Sequence, residues 1–427
     1  MVTVTLQHQQ TTPASPLPGL VYVIGAGIFL MGTTEFMLAG LLPDVAVDLG
    51  VDIGRAGLLI TAFAVGMIVG PPVMALATLR LSSRATLVGA LAVFAAGHVV
   101  GAVSDSFTVV AASRVVAALA TGTFWAVGAV VATAVVGPGA SARALAVMSG
   151  GLGLAVVAGV PLGTFAGHLT GWRGPFWMLA VLALFAMWAV LRSAPTNFRD
   201  RRAQGSVHAE LSGVRSWPTW TVLAAIVLAQ AGFLGAYSYI SPLLTDRAAI
   251  PVALVPLVLV GFGVGALAGT VLGGRLGDRY PVATITAAVS LTATGLAVLA
   301  AAANHSVIVV TLIVLLGACG LGANPILIAQ MLRYAPRGTT LASSLATAAF
   351  NLGTAIGSSF AGITLSTSMG LVGPAVLGAA LTGSALVPIA LLAAASRPPS
   401  PTESMASDVA ESVSARTIRS TNYEHNV

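Results

Sequence analysis

The chain has 427 residues, of which 57% are hydrophobic and only 7% carry a formal charge, against about 25% in an ordinary soluble domain. A soluble fold of this length could not bury so much apolar surface, so most of the chain is expected to lie in lipid. All 19 basic residues are arginine, and they are spread among loops rather than gathered in one stripe. The net charge of +6 therefore does not indicate a nucleic-acid partner.

Twelve apolar segments approach or exceed the roughly 20 residues that a membrane span requires. Because lipid cannot satisfy backbone polar groups, and because the segments lack the alternation of barrel strands, each is predicted to be helical. In chain order the predicted spans are 19–42, 56–78, 85–103, 107–133, 143–168, 174–191, 219–242, 252–274, 282–303, 306–332, 341–366 and 371–395. The first is too long for a signal peptide and no arginine precedes it, so it should remain as a span.

The arginines in the loops predict an orientation. With the amino terminus inside, twelve arginines fall in cytoplasmic loops and three in outer loops, a strong positive-inside bias. The cytoplasmic set is Arg80, Arg84, Arg143, Arg192, Arg199, Arg201, Arg202, Arg215, Arg275, Arg279, Arg333 and Arg337, and the outer set is Arg55, Arg173 and Arg247. We therefore predict a multi-pass protein of the inner (plasma) membrane with both termini in the cytoplasm.

The longest polar interruption between spans divides the chain into two halves. The predicted organisation is a flexible head (1–18), an N-terminal six-helix half (19–191), a basic linker (192–218), a C-terminal six-helix half (219–395) and a tail from residue 396 to 427. The tail is rich in Ser, Pro and Thr and is expected to be disordered. The predicted fold class is an all-α membrane protein with 12 transmembrane helices in two pseudo-symmetric six-helix bundles.

Two charged residues lie well inside predicted spans, Glu35 in the first and Arg114 in the fourth. A charge at membrane depth costs at least about 2.5–3.5 kcal/mol, so such residues usually have a task. Glu35 lies about 10 Å from the end of its span at 1.5 Å per residue, and burial disfavours its ionised form. A site that alternates between buried and hydrated settings could bind a proton on one side and release it on the other. The alternative is a structural carboxylate bonded to a neighbouring helix.

Arg114 and His98 are the other proton-coupling candidates. Arg114 could shift the proton affinity of the acid or gate a polar path, or it could snorkel to the surface or bond to backbone carbonyls. His98, near the end of the third span, titrates in a range suited to a proton relay. A buried polar contact is the alternative interpretation of His98.

Glycine and alanine recur every four residues in spans two, five, eight and eleven. Span eight carries Gly261, Gly265, Gly269, Gly273 and Gly277; span five carries Gly151, Ala155, Gly159, Gly163 and Gly167; spans two and eleven carry Gly66 and Gly70, and Gly353, Gly357 and Ala361. Such a stripe leaves one helix face bare and allows close backbone approach. Generic close packing of helices is the alternative interpretation of any single stripe. Pro161 removes a helical hydrogen bond and should bend span five.

The chain here resembles the Major Facilitator Superfamily, specifically its 12-span drug:proton antiporter branch. In that family, spans two and five of one half pack against spans eleven and eight of the other, and the striped helices would make that contact across the bundle. Gly274-Arg275-Leu276-Gly277-Asp278-Arg279 matches the cytoplasmic loop motif after span eight. The resemblance implies that Asp278 is a charge latch favouring outward-facing closure. The first-half loop, residues 75–80, lacks the Gly and Asp of that motif.

Other stretches resemble particular members of that branch. Gly159-Val160-Pro161-Leu162-Gly163, with Gly171-Trp172-Arg173 beyond it, is similar to the span-five antiporter signature, although Val160 replaces the family's glycine. Residues 34–43, 97–101 and 349–353 are similar to chloramphenicol exporters. Arg114 resembles the arginine of the span-four motif. The resemblance implies a proton-coupled efflux antiporter of small amphiphilic drugs, most simply phenicols, with sugar or metabolite efflux as the alternative.

A substrate cavity is expected near the midplane between the halves. Its polar or aromatic candidates are Tyr22, Phe36, Trp125, Gln230, Tyr237, Tyr239, Asn324 and Asn351. Among these we predict Phe36, Gln230, Tyr237 and Asn351 as substrate contacts. Apolar walls with few polar anchors suit a neutral amphiphile.

The sequence does not favour an enzyme. Without lysine there is no nucleotide-binding P-loop, and the six histidines and single cysteine have neither metal-site spacing nor a Ser-His-acid arrangement. No cofactor or metal is expected, and the energy source would be the proton gradient. The expected partners are a small-molecule substrate, protons and the lipid bilayer, with the protein as a monomer. A remote alternative, a non-transporting membrane sensor, would need a folded output domain, which neither the linker nor the tail is long or apolar enough to form.

Overall fold

The computed structural model describes residues 16–77, 81–137, 140–194, 215–335 and 339–395, and throughout these ranges the regular structure is helical. Three predicted segments lie wholly or largely outside the described residues, namely the head, most of the basic linker and the tail. The last three residues of the first-half loop motif also lie outside them.

The N-terminal half contains six spans. They are α1 (Gly19–Asp48), α2 (Ile53–Ala77), α3 (Ser83–Val103), α4 (Phe107–Val136), α5 (Ser141–Leu154, a π-helical turn Ala155–Gly159, and Val160–Thr170) and α6 (Arg173–Ser193). α1 continues through Pro43 for 30 residues, about 45 Å, and therefore extends beyond the roughly 30 Å hydrocarbon core.

The C-terminal half repeats this pattern. Its spans are α7 (Trp217–Ser238, followed by short turns Ile240–Pro242 and Leu243–Arg247), α8 (Val255–Arg279, after the turn Val252–Leu254), α9 (Pro281–Ala301), α10 (Ser306–Leu316, a π-helical turn Gly317–Leu321, and Asn324–Tyr334), α11 (Thr339–Thr364) and α12 (Gly373–Ser384 and Leu386–Ala395, after the turn Gly370–Val372).

Eleven of these spans are long and apolar enough to cross a membrane, and α11 is the twelfth. It has 26 residues but carries more serine, threonine and asparagine than the others. Several of these side chains bond to backbone carbonyls one turn earlier, as Asn351 does to Thr347 and Thr354 to Phe350. Satisfied in this way, they can be accommodated in a membrane helix. The predicted fold class of twelve helices in two six-helix bundles is confirmed.

The helix ends define two faces of the bundle. The Asp face contains the loops after α1, α3, α5, α7, α9 and α11, with Asp48, Asp52, Asp105 and Asp246. The Arg face contains the opposite ends, with Arg84, Arg143, Arg192, Arg279 and Arg333 among its described residues. Arg55, Arg173 and Arg247 also lie at the Asp face, and Asp278 lies at the Arg face, so the described loops show a bias of charge and not a complete separation.

The glycine stripes of α2 and α8 pack against the fourth helix of their own half. A Cβ added at Gly66 would meet Ala118 and the carbonyl oxygen of Val115 on α4. A Cβ added at Gly269 would meet the carbonyl oxygen of Ala318 on α10. Because α8 and α10 occupy the places of α2 and α4, the two halves use the same close contact.

The stripes of α5 and α11 pack against the first helix of their own half. A Cβ at Gly159 would meet Thr33 on α1, and one at Gly357 would meet the carbonyl oxygen of Ala231 on α7. The expectation that the stripes make the contact across the bundle is therefore wrong. Close backbone approach is confirmed, but it occurs inside each half.

The contacts between halves do pair α2 with α11 and α5 with α8, as the resemblance implies. Gly263 on α8, which is not part of the four-residue stripe, contributes to the contact between α5 and α8. A Cβ added at Gly263 would meet the backbone of Val157 on α5. Pro161 follows directly on the π-helical turn of α5, where the loss of its backbone N–H interrupts the regular hydrogen-bond pattern.

Candidate functional site

A cavity lies between the two halves. We call it the central cavity, and it is formed by α1, α2, α7 and α11. Its lining residues are Glu35, Phe36, Ala39, Ile60, Phe63, Ala64, Leu234, Tyr237, Ser238, Asn351 and Thr354. The wall is mainly apolar, with one carboxyl group and a few neutral polar groups, which is the composition expected of a small-molecule site.

Glu35 contributes the carboxyl group of this cavity. Its side chain is half-buried on α1 and forms no hydrogen bond or ion pair within the described part of the chain. Arg114 is the neighbouring charge that acts on it electrostatically. A carboxyl group without a fixed partner, in a cavity and close to one cation, can change its protonation state without breaking a structural contact.

Arg114 is held by the residue before Glu35. Its Nη1 donates to Thr34 Oγ1 at 2.7 Å and its Nη2 donates to the Thr34 carbonyl oxygen at 2.9 Å. The side chain is only 1% exposed, so it does not snorkel to the surface. Of the structural roles considered for Arg114, bonding to a backbone carbonyl is the one observed.

Aromatic rings complete the environment of Arg114. The guanidinium carbon lies 4.4 Å from the ring centroid of Phe63 and 6.0 Å from that of Phe176, distances at which a cation is attracted to a ring face. Phe63 also lines the central cavity. The guanidinium is therefore separated from part of the cavity by a ring, while its Nε has no hydrogen-bond partner among the described residues.

His98 extends the network on the side away from Arg114. Its Nδ1 lies 2.8 Å from the Phe94 carbonyl oxygen and its Nε2 lies 2.7 Å from Thr34 Oγ1. A carbonyl oxygen only accepts, so Nδ1 must carry a proton. Thr34 Oγ1 already accepts from Arg114, so its own hydrogen is best donated to Nε2. This arrangement favours a neutral imidazole in a buried polar contact.

The predicted substrate residues are only partly brought together. Phe36, Tyr237 and Asn351 line the central cavity with Glu35. Gln230 is buried on α7, with its Cβ beside Gly353 of α11, and does not line the cavity. Among the wider candidates, Tyr22 is 53% exposed. The sequence analysis missed several lining residues. Ser238 and Thr354 could have been identified as polar residues inside predicted spans. Ile60, Phe63 and Leu234 have no such signal, because apolar residues are common throughout the spans.

The two halves are joined at the Asp face by hydrogen bonds. Tyr239 OH lies 2.9 Å from the Ser358 carbonyl oxygen and 3.3 Å from that of Gly54 on α2. Thr61 Oγ1 lies 2.8 Å from Ser358 Oγ. Tyr239, placed among the cavity candidates, thus closes the Asp face instead of lining the cavity.

The Arg-face motif after α8 has no such partner. Asp278 is exposed and forms no hydrogen bond or ion pair with the described residues. Arg279 lies over the ring of Tyr280, and an added Cβ at Gly274 would meet no atom within 4 Å. Within the described ranges, the acid that the resemblance implies to be a latch has no partner.

The Gly171-Trp172-Arg173 stretch fixes a corner of the N-terminal half. Trp172 Nε1 donates to Asp48 at 2.9 Å, and Arg173 pairs with both Asp48 and Asp105. These contacts join the end of α1, the α3–α4 loop and the start of α6 at the Asp face. The stretch is structural in this conformation.

Comparisons with known proteins agree with this architecture. The sequence model of the Major Facilitator Superfamily matches residues 24–256 and 234–423. A chloramphenicol resistance protein of Streptomyces lividans is 40% identical over 361 residues, covering 84% of this chain and 92% of that protein. The inner membrane transport protein YdhP of Escherichia coli K12 is 34% identical over 370 residues, covering 87% and 94%.

A solved structure shares the fold. It is the crystal structure of a bacterial homolog of the human lysosomal transporter Spinster, in an inward-facing, unoccupied conformation. The TM-score is 0.69 at 15% identity, with 90% of this chain and 96% of that chain covered. The family match spans both halves and the relatives cover most of the chain. The chain belongs to the Major Facilitator Superfamily.

Proposed function

We propose that this multi-pass membrane transporter is a proton-coupled antiporter that exports small amphiphilic compounds, with phenicols such as chloramphenicol as its substrates. The observation that carries the proposal is the position of Glu35, a carboxyl group in the cavity between the halves that has no hydrogen bond or ion pair with any residue the structure describes. The similarity to a chloramphenicol resistance protein supports the substrate class.

Glu35 would couple the two fluxes by alternating its protonation state. When the cavity faces the cytoplasm, Glu35 releases its proton and the substrate binds. When the cavity faces outward, the substrate leaves and Glu35 takes up a proton from the more acidic side. The energy of inward proton movement then drives export. Arg114 stabilises the ionised carboxylate electrostatically, because opposite charges close together in a low-dielectric site attract strongly.

The composition of the central cavity supports a neutral amphiphile over a sugar. Phe36, Phe63 and Ile60 supply apolar surface, while Asn351 and Ser238 are the neutral polar anchors. A sugar would need most of its hydroxyl groups paired, because unpaired polar groups are costly to bury. A phenicol presents an aryl ring and a few hydrogen-bonding groups, which suits this wall.

The positive-inside bias supports a cytoplasmic Arg face and cytoplasmic termini in the plasma membrane. In that orientation the hydrogen-bonded Asp face lies on the outer side, as expected of an inward-facing conformation. The absence of a partner for Asp278 among the described residues is consistent with this state, because the latch would engage when the cytoplasmic side closes.

The test uses everted membrane vesicles with an acidic interior, in which export appears as uptake of labelled chloramphenicol. The intact protein should accumulate the drug, and a protonophore should abolish accumulation. Glu35→Gln should lose gradient-driven uptake but retain chloramphenicol counterflow, which requires no net proton movement. Asp246→Asn, an exposed carboxyl-to-amide change outside the cavity, is the matched control and should behave as the intact protein does.

Two results would overturn parts of the proposal. Gradient-driven uptake by Glu35→Gln equal to that of the intact protein would remove Glu35 as the coupling acid. No phenicol uptake or counterflow by the well-expressed intact protein would remove the substrate class. Phenicol resistance of an efflux-deficient host tests the intact protein and Glu35→Gln in cells, at matched expression.

A further inference from the structure

A second, narrow cavity lies inside the C-terminal half. We call it the C-lobe pocket, and it is enclosed by α7, α8, α9 and α10. Phe233, Phe262, Leu296, Leu299, Ile313 and Leu316 form most of its wall. Its lining residues are apolar apart from Tyr237.

Tyr237 lines both the C-lobe pocket and the central cavity. Its ring stacks on Phe262, with centroids 4.5 Å apart, and meets Phe36 edge-on at 6.4 Å. An aromatic series thus runs from Phe36 in the central cavity, through Tyr237, to Phe262 in the C-lobe pocket. The two cavities adjoin at this tyrosine.

The hydroxyl group of Tyr237 has no hydrogen-bond partner among the described residues, although the side chain is only 6% exposed. Buried polar groups in proteins are nearly always paired, so an exception requires an explanation. A water in the C-lobe pocket would find no second polar group in that wall, and a stable buried water needs two or more. A ligand with its own polar group is the better partner.

We propose that the C-lobe pocket is an apolar subsite for the substrate. A flat aromatic group enters it beside Phe262, and Tyr237 OH hydrogen-bonds to a polar group of the same molecule. The ligand class is an aryl compound with a hydrogen-bonding substituent next to the ring. The inference rests on the proposed function in that the ligand is the exported amphiphile, and it adds a second site, within one half, to the cavity between the halves.

The test is calorimetric binding to the purified full-length chain, with two probes. One is chloramphenicol, and the other is 4-nitrobenzyl alcohol, which has an aryl ring and one hydroxyl group. Ile313→Phe fills the pocket from α10 and Leu299→Phe fills it from α9; both residues are 1% exposed. Leu315→Phe, on the same helix but 52% exposed and outside the pocket wall, is the matched control.

We expect either filling variant to weaken both probes at least tenfold, and Leu315→Phe to bind as the intact chain does. Tyr237→Phe should weaken both probes by about three- to tenfold, the effect of losing one hydrogen bond. If neither filling variant folds, as judged by gel filtration and thermal unfolding, Leu316→Phe fills the pocket from another position of its wall and replaces them, because Leu316 does not line the central cavity.

The outcomes separate this inference from the proposed function. In one outcome the intact chain binds 4-nitrobenzyl alcohol but not chloramphenicol, and a filling variant loses that binding. This outcome supports the pocket and shows that phenicols are not the substrates. Unchanged binding of both probes by a folded filling variant overturns the pocket, and so does unchanged binding by Leu316→Phe when it replaces the other two. Failure of the intact chain to bind either probe also overturns it.

Discussion

Arg114 donates two hydrogen bonds to Thr34, the residue immediately before Glu35. The buried guanidinium is therefore fixed by a neutral residue and leaves the neighbouring carboxyl group free of direct pairing. An ion pair would hold Glu35 ionised and would have to be broken in each cycle. Because Arg114 is anchored to Thr34, its positive charge stays at the same position whichever protonation state Glu35 adopts.

The first prediction concerns Thr34. Thr34→Val should lower the free energy of unfolding by about 1–3 kcal/mol, because Arg114 and His98 each lose a buried hydrogen-bond partner. Thr34→Ser keeps the hydroxyl group and should retain most of the stability. Thermal unfolding of the purified variants measures the difference. Equal thermal unfolding midpoints for Thr34→Val and Thr34→Ser would contradict a stabilising role of the hydrogen bonds to the Thr34 hydroxyl group.

The second prediction concerns His98. In His98→Gln the amide oxygen can replace Nε2 as acceptor for Thr34, but the side chain can no longer carry a titrating proton. If His98 is a buried polar contact, gradient-driven chloramphenicol uptake should persist in this variant. Loss of driven uptake, with chloramphenicol counterflow retained, would instead assign His98 to the proton path. Everted vesicles provide both measurements.

The third prediction concerns closure of the Asp face. Tyr239→Phe removes the hydroxyl group whose single hydrogen is shared between the carbonyl oxygens of Ser358 in its own half and Gly54 in the other half. One hydrogen bond is worth about 0.5–1.5 kcal/mol. The population open at that face should rise by about two- to tenfold.

A cysteine reporter measures that population. Ala64→Cys lines the central cavity, and Cys319→Ala first removes the only native thiol. Labelling from outside intact cells by a membrane-impermeant maleimide should increase in the Tyr239→Phe background. Thr221→Val, which removes a hydrogen bond to the Trp217 carbonyl oxygen at the Arg-face end of α7, is the control. Unchanged labelling in Tyr239→Phe would show that other contacts hold the face closed.

The fourth prediction separates two glycines of α8. Gly269→Ala places a methyl group against the Ala318 carbonyl, and such overpacking should destabilise the protein by about 1–3 kcal/mol. At Gly274 an added Cβ meets no atom within 4 Å, so Gly274→Ala should stabilise the helix by about 0.5–1 kcal/mol. Thermal unfolding of both variants tests this contrast. Similar unfolding midpoints for Gly269→Ala and Gly274→Ala would mean that α8 and α10 can move apart to accommodate the added methyl group at little cost.

The membrane spans and their charged residues were predictable because each depends on hydropathy along the chain. Glu35 and Arg114 were identified as unusual because any charge in a span is unusual. Which side chains reach the central cavity was harder to predict. The spans are apolar on every side, so periodicity does not distinguish a lipid-facing surface from an interior one. Tyr237 and Tyr239 were both candidates for the cavity, and only Tyr237 was predicted as a substrate contact; Tyr237 lines the cavity and Tyr239 closes the Asp face.

The direction of the glycine stripes was unpredictable for a related reason. Spacing of four residues shows that one helix face is bare but does not show which neighbour uses it. Gly265 and Gly269 face α10 in their own half, whereas the nearby Gly263 faces α5 in the other half. Two residues along a helix change direction by about 200°, so the partner depends on how the whole bundle is assembled.

The same glycine contacts determine where this molecule is stiff. Backbone packed directly on backbone allows little sliding, and each half contains two such seams, α2 with α4 and α1 with α5, repeated as α8 with α10 and α7 with α11. Side-chain hydroxyl groups, which can exchange partners, supply hydrogen bonds between the halves at the Asp face. Mutations should divide accordingly: those in the seams reduce how much protein accumulates, and those between the halves change how fast each molecule turns over.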